Sequence, residues 1–132
     1  MSKFALKDIE SINGKQTFNQ LEVNGQKQLD NFEADLSDTT YISEFKNLLT
    51  YMEYIANNKT LPQTKFKDIT PKKQQVKEYE FKSKHLRVYA IQQINGKIIV
   101  LGGFKNNQKE DIKKFRSLKK QYLDSLIPKK AV

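Results

Sequence analysis

The chain has no cysteine and a single histidine. Disulfides, thiolate metal sites and imidazole-rich metal sites are therefore excluded, and no cofactor is expected. No stretch approaches the roughly 18 apolar residues of a membrane span, and the first residues, MSKFALKDIESINGK, contain no apolar core of signal-peptide length. These absences lead us to expect a cytoplasmic protein with no membrane partner. Proline is confined to Pro62, Pro71 and Pro128. Arginine occurs only at Arg87 and Arg116, so nearly all of the positive charge is lysine.

At 132 residues the chain is one domain by size, and its net charge is +9. That charge is segregated. Residues 1–64 hold 6 Lys against 9 Asp or Glu, while residues 65–132 hold 16 Lys and 2 Arg against 6 Asp or Glu. A basic half of this kind implies an anionic partner, and nucleic acid leads because neutralised phosphates release counterions.

Residues 1–16 read as an N-terminal extension or a short strand, with Phe4, Leu6 and Ile9 as anchors. Thr17 to Val23 alternates as a strand, and Asn24-Gly25 marks a turn or a helix start. Leu29, Phe32 and Leu36 predict a short helix over 26–36. The clearest helix is predicted over 41–57, where Phe45, Leu48, Leu49, Met52, Ile55 and Ala56 form one stripe, with Thr40 as its cap. The segment LPQTKFKDITP reads as a connecting loop with Phe66 and Ile69 tucked in.

Three antiparallel strands follow. In 78–84, Tyr79 and Phe81 point one way while Glu80, Lys82 and Lys84 point the other. In the next strand Leu86, Val88 and Ala90 share one face; Arg87, Tyr89 and Ile91 share the opposite one. Asn95-Gly96 is the expected hairpin turn into a third strand, which Gly102-Gly103 is expected to break. A last helix over 109–126 buries Ile112, Phe115, Leu118, Tyr122 and Leu126 and turns Lys113, Lys114, Lys119 and Lys120 to solvent. The fold class is α+β: a small antiparallel sheet with an N-terminal helical pair packed on one face and a C-terminal helix. We expect the second, polar face to be partly open.

Residues for phosphodiester chemistry collect on that face and its edge. Cleaving RNA requires a base for the 2′-hydroxyl, cations for the phosphate and a proton for the leaving oxygen. Arg87 interrupts the apolar strand HLRVYAI and is the expected phosphate clamp, because its fork is planar and permanently charged. Lys84, Lys105 and His85 complete the candidate catalytic set. Lys82, Tyr89, Lys109 and Lys113 are candidates for holding nucleic acid.

The run LRVYAIQQINGKIIVLGGFKNNQKEDIKKFRSLKKQY resembles the C-terminal half of the RelE/ParE toxin superfamily, in its HigB-like, phage-derived (Gp49-like) branch. The resemblance is carried by Arg87-Val88-Tyr89, Gly96-Lys97, Gly103-Phe104-Lys105 and Gln108-Lys109. It covers residues 17–126 as one toxin domain and leaves 127–132 as a tail. It implies the toxin of a type II toxin–antitoxin module, a ribosome-dependent mRNA endonuclease. The implied partners are the ribosome, mRNA and a small antitoxin, often a helix-turn-helix protein. The resemblance places Arg87 as a clamp and Lys105 as the basic residue after the last strand. Asn106 and Asn107 stand where the family's terminal tyrosine or histidine would be sought. Two alternatives fit the same surface: a non-catalytic nucleic-acid-binding protein of mobile-element origin, or a gyrase-directed poison of the ParE type.

Overall fold

A computed structural model describes residues 2–127. Two tight turns, each containing an Asn of positive φ, organise its strands. Asn24 and Gly25 both have positive φ, at 50° and 83°, the geometry that matches the twist of paired strands. They join β2 (Thr17–Val23) to β3 (Gln26–Lys27), and an edge strand, β1 (Phe4–Asp8), pairs with the same β2. The second turn lies one residue earlier than the sequence suggests. Gln93 pairs with Gly96, so the turn residues between β6 (Leu86–Gln93) and β7 (Gly96–Phe104) are Ile94 and Asn95. Gly96 belongs to the strand. The Thr17 carbonyl lies where its side chain would be, so only glycine permits that approach.

The helices form where apolar residues recur at helical spacing. Helix α1 (Gln28–Leu36) buries Leu29, Phe32 and Leu36, and α2 (Ile42–Ala56) buries Phe45, Leu48, Met52, Ile55 and Ala56. Thr40 does not cap α2; the preceding Thr39 hydroxyl instead accepts the Tyr41 N–H at 3.1 Å. Asn58, at φ 63°, ends the helix in a left-handed conformation. The expected loop after Pro62 contains a short strand, β4 (Phe66–Asp68), which pairs with β5 (Glu78–Lys82). Phe66 pairs with Phe81 across this edge, and its ring stacks on Tyr79 at 5.1 Å.

The sheet order is β1-β2-β7-β6-β5-β4. It is mixed rather than antiparallel throughout, because β2 runs parallel to β7 while the other neighbours are antiparallel. Chain between β2 and β7 supplies both α1 and α2, which pack on one face against Phe81, Leu86, Val88, Ala90 and Ile99. Lys97 is buried on this side, its Nζ 4.8 Å from the Tyr79 ring centre, and burial pushes its amine below the ordinary value.

The second face is not open. Helix α3 (Gln108–Ser125) follows a 3₁₀ turn at Lys105–Asn107 and lies across it. Phe115 stacks on Tyr89 at 5.5 Å, and Tyr122 meets Phe4 of β1 edge-on at 5.9 Å. Strand β7 runs through Gly102-Gly103 to Phe104 without breaking. The glycines serve close approach instead: Phe32 occupies the side-chain space at Gly102, and the Asp111 carboxylate that at Gly103. Two expectations for α3 are corrected. Leu126 is exposed, and Lys119 is only 4 % exposed. Lys119 Nζ donates to Glu78 Oε2 at 2.8 Å and to the Val76 carbonyl at 2.7 Å, while Arg116 Nε donates to Glu78 Oε1 at 2.9 Å. Polar residues thus join α3 to the sheet alongside apolar ones. Among the described residues no helix is long and apolar enough to cross a membrane.

Candidate functional site

The β5–β6 turn, residues 83–85, carries the one histidine and is held from both faces of the sheet. On the helix-pair side stands Glu44, in the first turn of α2, where the helix dipole favours a carboxylate. Its Oε1 accepts the Ser83 hydroxyl at 2.6 Å and the His85 backbone N–H at 2.8 Å; its Oε2 lies 2.6 Å from His85 Nδ1. Burial pushes the Glu44 carboxyl up, but the hydrogen bonds from Ser83 and His85 outweigh it and hold the group below the usual carboxylate value. The Tyr41 ring packs edge-on against His85 at 5.3 Å.

From the α3 side the turn is held by Arg87. Its Nη1 donates to the Ser83 carbonyl at 2.6 Å and to the Leu86 carbonyl at 2.8 Å. Arg87 is 7 % exposed, and its buried Nε has no partner among the described residues. The expected phosphate clamp is thus engaged by backbone carbonyls and shapes the turn. An arginine in an apolar strand signalled something unusual, but not which partner it would find.

The turn adjoins the exit of the sheet. Leu86 pairs with Phe104, the last rung of β6–β7, and the Lys105 N–H donates to the His85 carbonyl at 2.8 Å. Lys84, His85 and Lys105 are therefore neighbours on one exposed corner, with Lys82 half-buried opposite Arg87. Lys109 begins α3 beside this corner, and Lys113 lies one turn further along it. Both are exposed, and Lys113 lies 3.8 Å from Glu110. Tyr89 is not available to a base: it is fully buried against Phe115, and burial raises its phenol far above the ordinary value. Nearby Glu80 is also buried and accepts the Gln108 side-chain amide at 2.6 Å. Burial likewise pushes the Asp111 carboxyl up.

Chemically, the central feature is the carboxylate–imidazole pair. A carboxylate on Nδ1 fixes the tautomer with the proton on that nitrogen and leaves Nε2 free to take one. The His85 side chain is 45 % exposed, so the ring stands at the surface. Exposed lysines on either side supply cations for a phosphate. Sequence reasoning missed Glu44, Ser83 and Tyr41. Glu44 lies 41 residues from His85, and no local pattern links them. Among the described residues, no group of three or more His, Cys, Asp or Glu side chains is arranged to hold a metal ion.

The pair also predicts an acid response. A carboxyl held below its ordinary value of 4.5 adds stability that is fully present above that pH and is lost as pH falls through the lowered value. Urea denaturation followed from about pH 6 to about pH 3 should show this loss below 4.5, and Glu44→Gln should flatten it. Parallel curves for the two proteins would show that Glu44 contributes nothing.

No protein-family model matches the chain, and neither a curated protein nor a solved structure matches it.

Proposed function

We propose that the protein is an RNA-cleaving toxin whose chemistry is carried by His85 at the lysine-bearing corner. The observation that carries this reading is the 2.6 Å contact between Glu44 Oε2 and His85 Nδ1, set between exposed Lys84 and Lys105. The charge segregation supports it. The helix pair followed by an antiparallel meander and a closing helix is compatible with it, although three strands rather than one precede the pair.

In this reading Nε2 of His85 removes the proton of a ribose 2′-hydroxyl. The 2′-oxygen attacks the adjacent phosphorus, the bond from phosphorus to the 5′-oxygen breaks, and a 2′,3′-cyclic phosphate forms. The leaving 5′-oxygen takes a proton from a lysine of the corner or from the imidazolium. Lys84 and Lys105 neutralise the charge that builds on the phosphate. Glu44 stabilises the imidazolium and keeps the ring oriented, as the carboxylate does in hydrolase triads. The ribosome and mRNA are the proposed partners, and a small helix-turn-helix antitoxin the proposed inhibitor.

One observation favours a second reading, a non-catalytic RNA-binding protein: Arg87, the strongest clamp in the sequence, already holds the Ser83 and Leu86 carbonyls. Mapping RNA ends in a translating extract separates the two. New ends bearing cyclic phosphate and 5′-hydroxyl groups are the expected result. Retarded but uncut RNA would favour the binder, and RNA neither cut nor retarded would remove both readings.

A further inference from the structure

A second basic feature lies away from the corner. The segment 69–77 crosses the C-terminal half of α3 as a strap and is tied at both ends. Arg116 Nη2 donates to the Ile69 carbonyl at 3.1 Å, and Lys119 Nζ to the Val76 carbonyl at 2.7 Å. Between strap and helix is a cleft of about 360 Å³, lined by Gln74, Glu78, Arg116, Lys119, Lys120 and Asp124 among others.

The charges here do not cancel. Glu78, 2 % exposed, is bound by two cations, Lys119 at 2.8 Å and Arg116 at 2.9 Å. One carboxylate against two cations leaves one positive charge in excess, beside a wall where the Lys119 side chain is only 4 % exposed. Lys120 lies 2.9 Å from Asp124, so that pair is neutral. The strap adds exposed Lys72 and Lys73. Lys73 has φ 70°, a left-handed conformation that costs a non-glycine residue on the order of 1 kcal/mol. Arg116 uses Nε and Nη2 on the protein, and its Nη1 has no protein partner among the described residues. An ammonium can donate three hydrogen bonds, and Lys119 uses two.

We propose that this cleft is a second anion site that takes a phosphate group, received by Arg116 Nη1 and the Gln74 amide, with the buried charge of Lys119 behind them. Glu78 orients the two cations, and the strap positions Gln74 opposite them. The site is joined to the corner by a stripe on α3. Lys109, Lys113, Arg116 and Lys120 are spaced by four, three and four residues, which is one helical face. From Lys109 to Arg116 the helix rises about 10 Å, the span of roughly three phosphates of a stacked strand at ~3.4 Å each. A strand lying along this face therefore spans from Lys109 to the cleft. That identification of the phosphate as RNA backbone rests on the function proposed above; the cleft as an anion site does not.

The test is a titration of the isotope-labelled protein at constant ionic strength, reading the Arg116 Nε–H and Lys119 ammonium resonances. The probes are inorganic phosphate and a short RNA with 2′-O-methyl riboses, which cannot be cut. Both probes are expected to shift these resonances where added sodium chloride does not. Arg116→Gln should abolish the phosphate shift and reduce the slope of log K against log salt for the RNA by about 0.7, one phosphate on a single strand. Gln74→Ala, which leaves both ties of the strap in place, should weaken the phosphate shift as well. No shift with either probe, or an equal shift with chloride, overturns the proposal. A shift with phosphate but not RNA keeps the site and assigns it to a free phosphorylated ligand. A protein that never cuts RNA yet shows the phosphate shift removes the proposed function and leaves the cleft.

Discussion

Replacing Glu78 with alanine is expected to destabilise the protein by about 3–5 kcal/mol, a large part of the 5–15 kcal/mol typical of a folded domain. Glu78 lies on β5 beneath α3, is almost fully buried, and is the only acidic partner of Lys119 among the described residues. Without it, an ammonium 4 % exposed keeps only the Val76 carbonyl. Leaving a buried charge uncompensated is far worse than removing both partners. Glu78→Met combined with Lys119→Met should therefore recover most of the loss, since both side chains are replaced by apolar ones of similar length. Arg116 contributes less to the cost because its side chain is 41 % exposed and water can take over. Urea denaturation followed by circular dichroism measures all three proteins. A loss below about 1 kcal/mol for the alanine variant would show that the buried ion cluster is not what holds α3 down.

Changing His85 to glutamine is expected to lower RNA cleavage by about 10²–10⁴-fold, the usual contribution of a positioned general base. Stability should change little, because the ring is half exposed and makes one hydrogen bond, to Glu44. Glu44→Gln should give a smaller loss of cleavage, since the amide oxygen can still accept Nδ1–H but no longer carries the charge that stabilises the imidazolium. Single-turnover cleavage of a labelled RNA reads both effects. Unchanged cleavage in the His85 variant, with the fold intact, would remove this residue from the chemistry and return the corner to binding alone.

Much of the frame is legible along the chain. The stripe from Phe45 to Ala56 can only be an amphipathic helix, and Leu86, Val88 and Ala90 fall on the side of the sheet that the helix pair covers. The parallel pairing of β2 with β7 is different. Phe18 meets Lys97 across nearly eighty residues, and no turn motif announces it. The covered second face was illegible for the same reason. Glu78, Glu80 and Arg87 alternate as solvent-facing residues would, yet all three are buried, against Lys119, Gln108 and the Ser83 carbonyl. Lys119 looks like any other lysine on a basic helix until its acceptors are known.

The candidate site divides in the same way. Its basic character, and its place at the turn before HLRVYAI, follow from residue types and their order. That His85 has a carboxylate on Nδ1, while Arg87 faces inward to the backbone of the same turn, does not. By itself the sequence determined the main helices and strands, though not β4, and that one half of the protein carries the excess positive charge, because periodicity and net charge are sums over neighbouring residues. Only the tertiary structure decided which polar side chains are buried and which are free to act. For Glu78, Glu80 and His85 that depends on partners some thirty to forty residues away, and most buried polar groups are tolerated because a partner meets them.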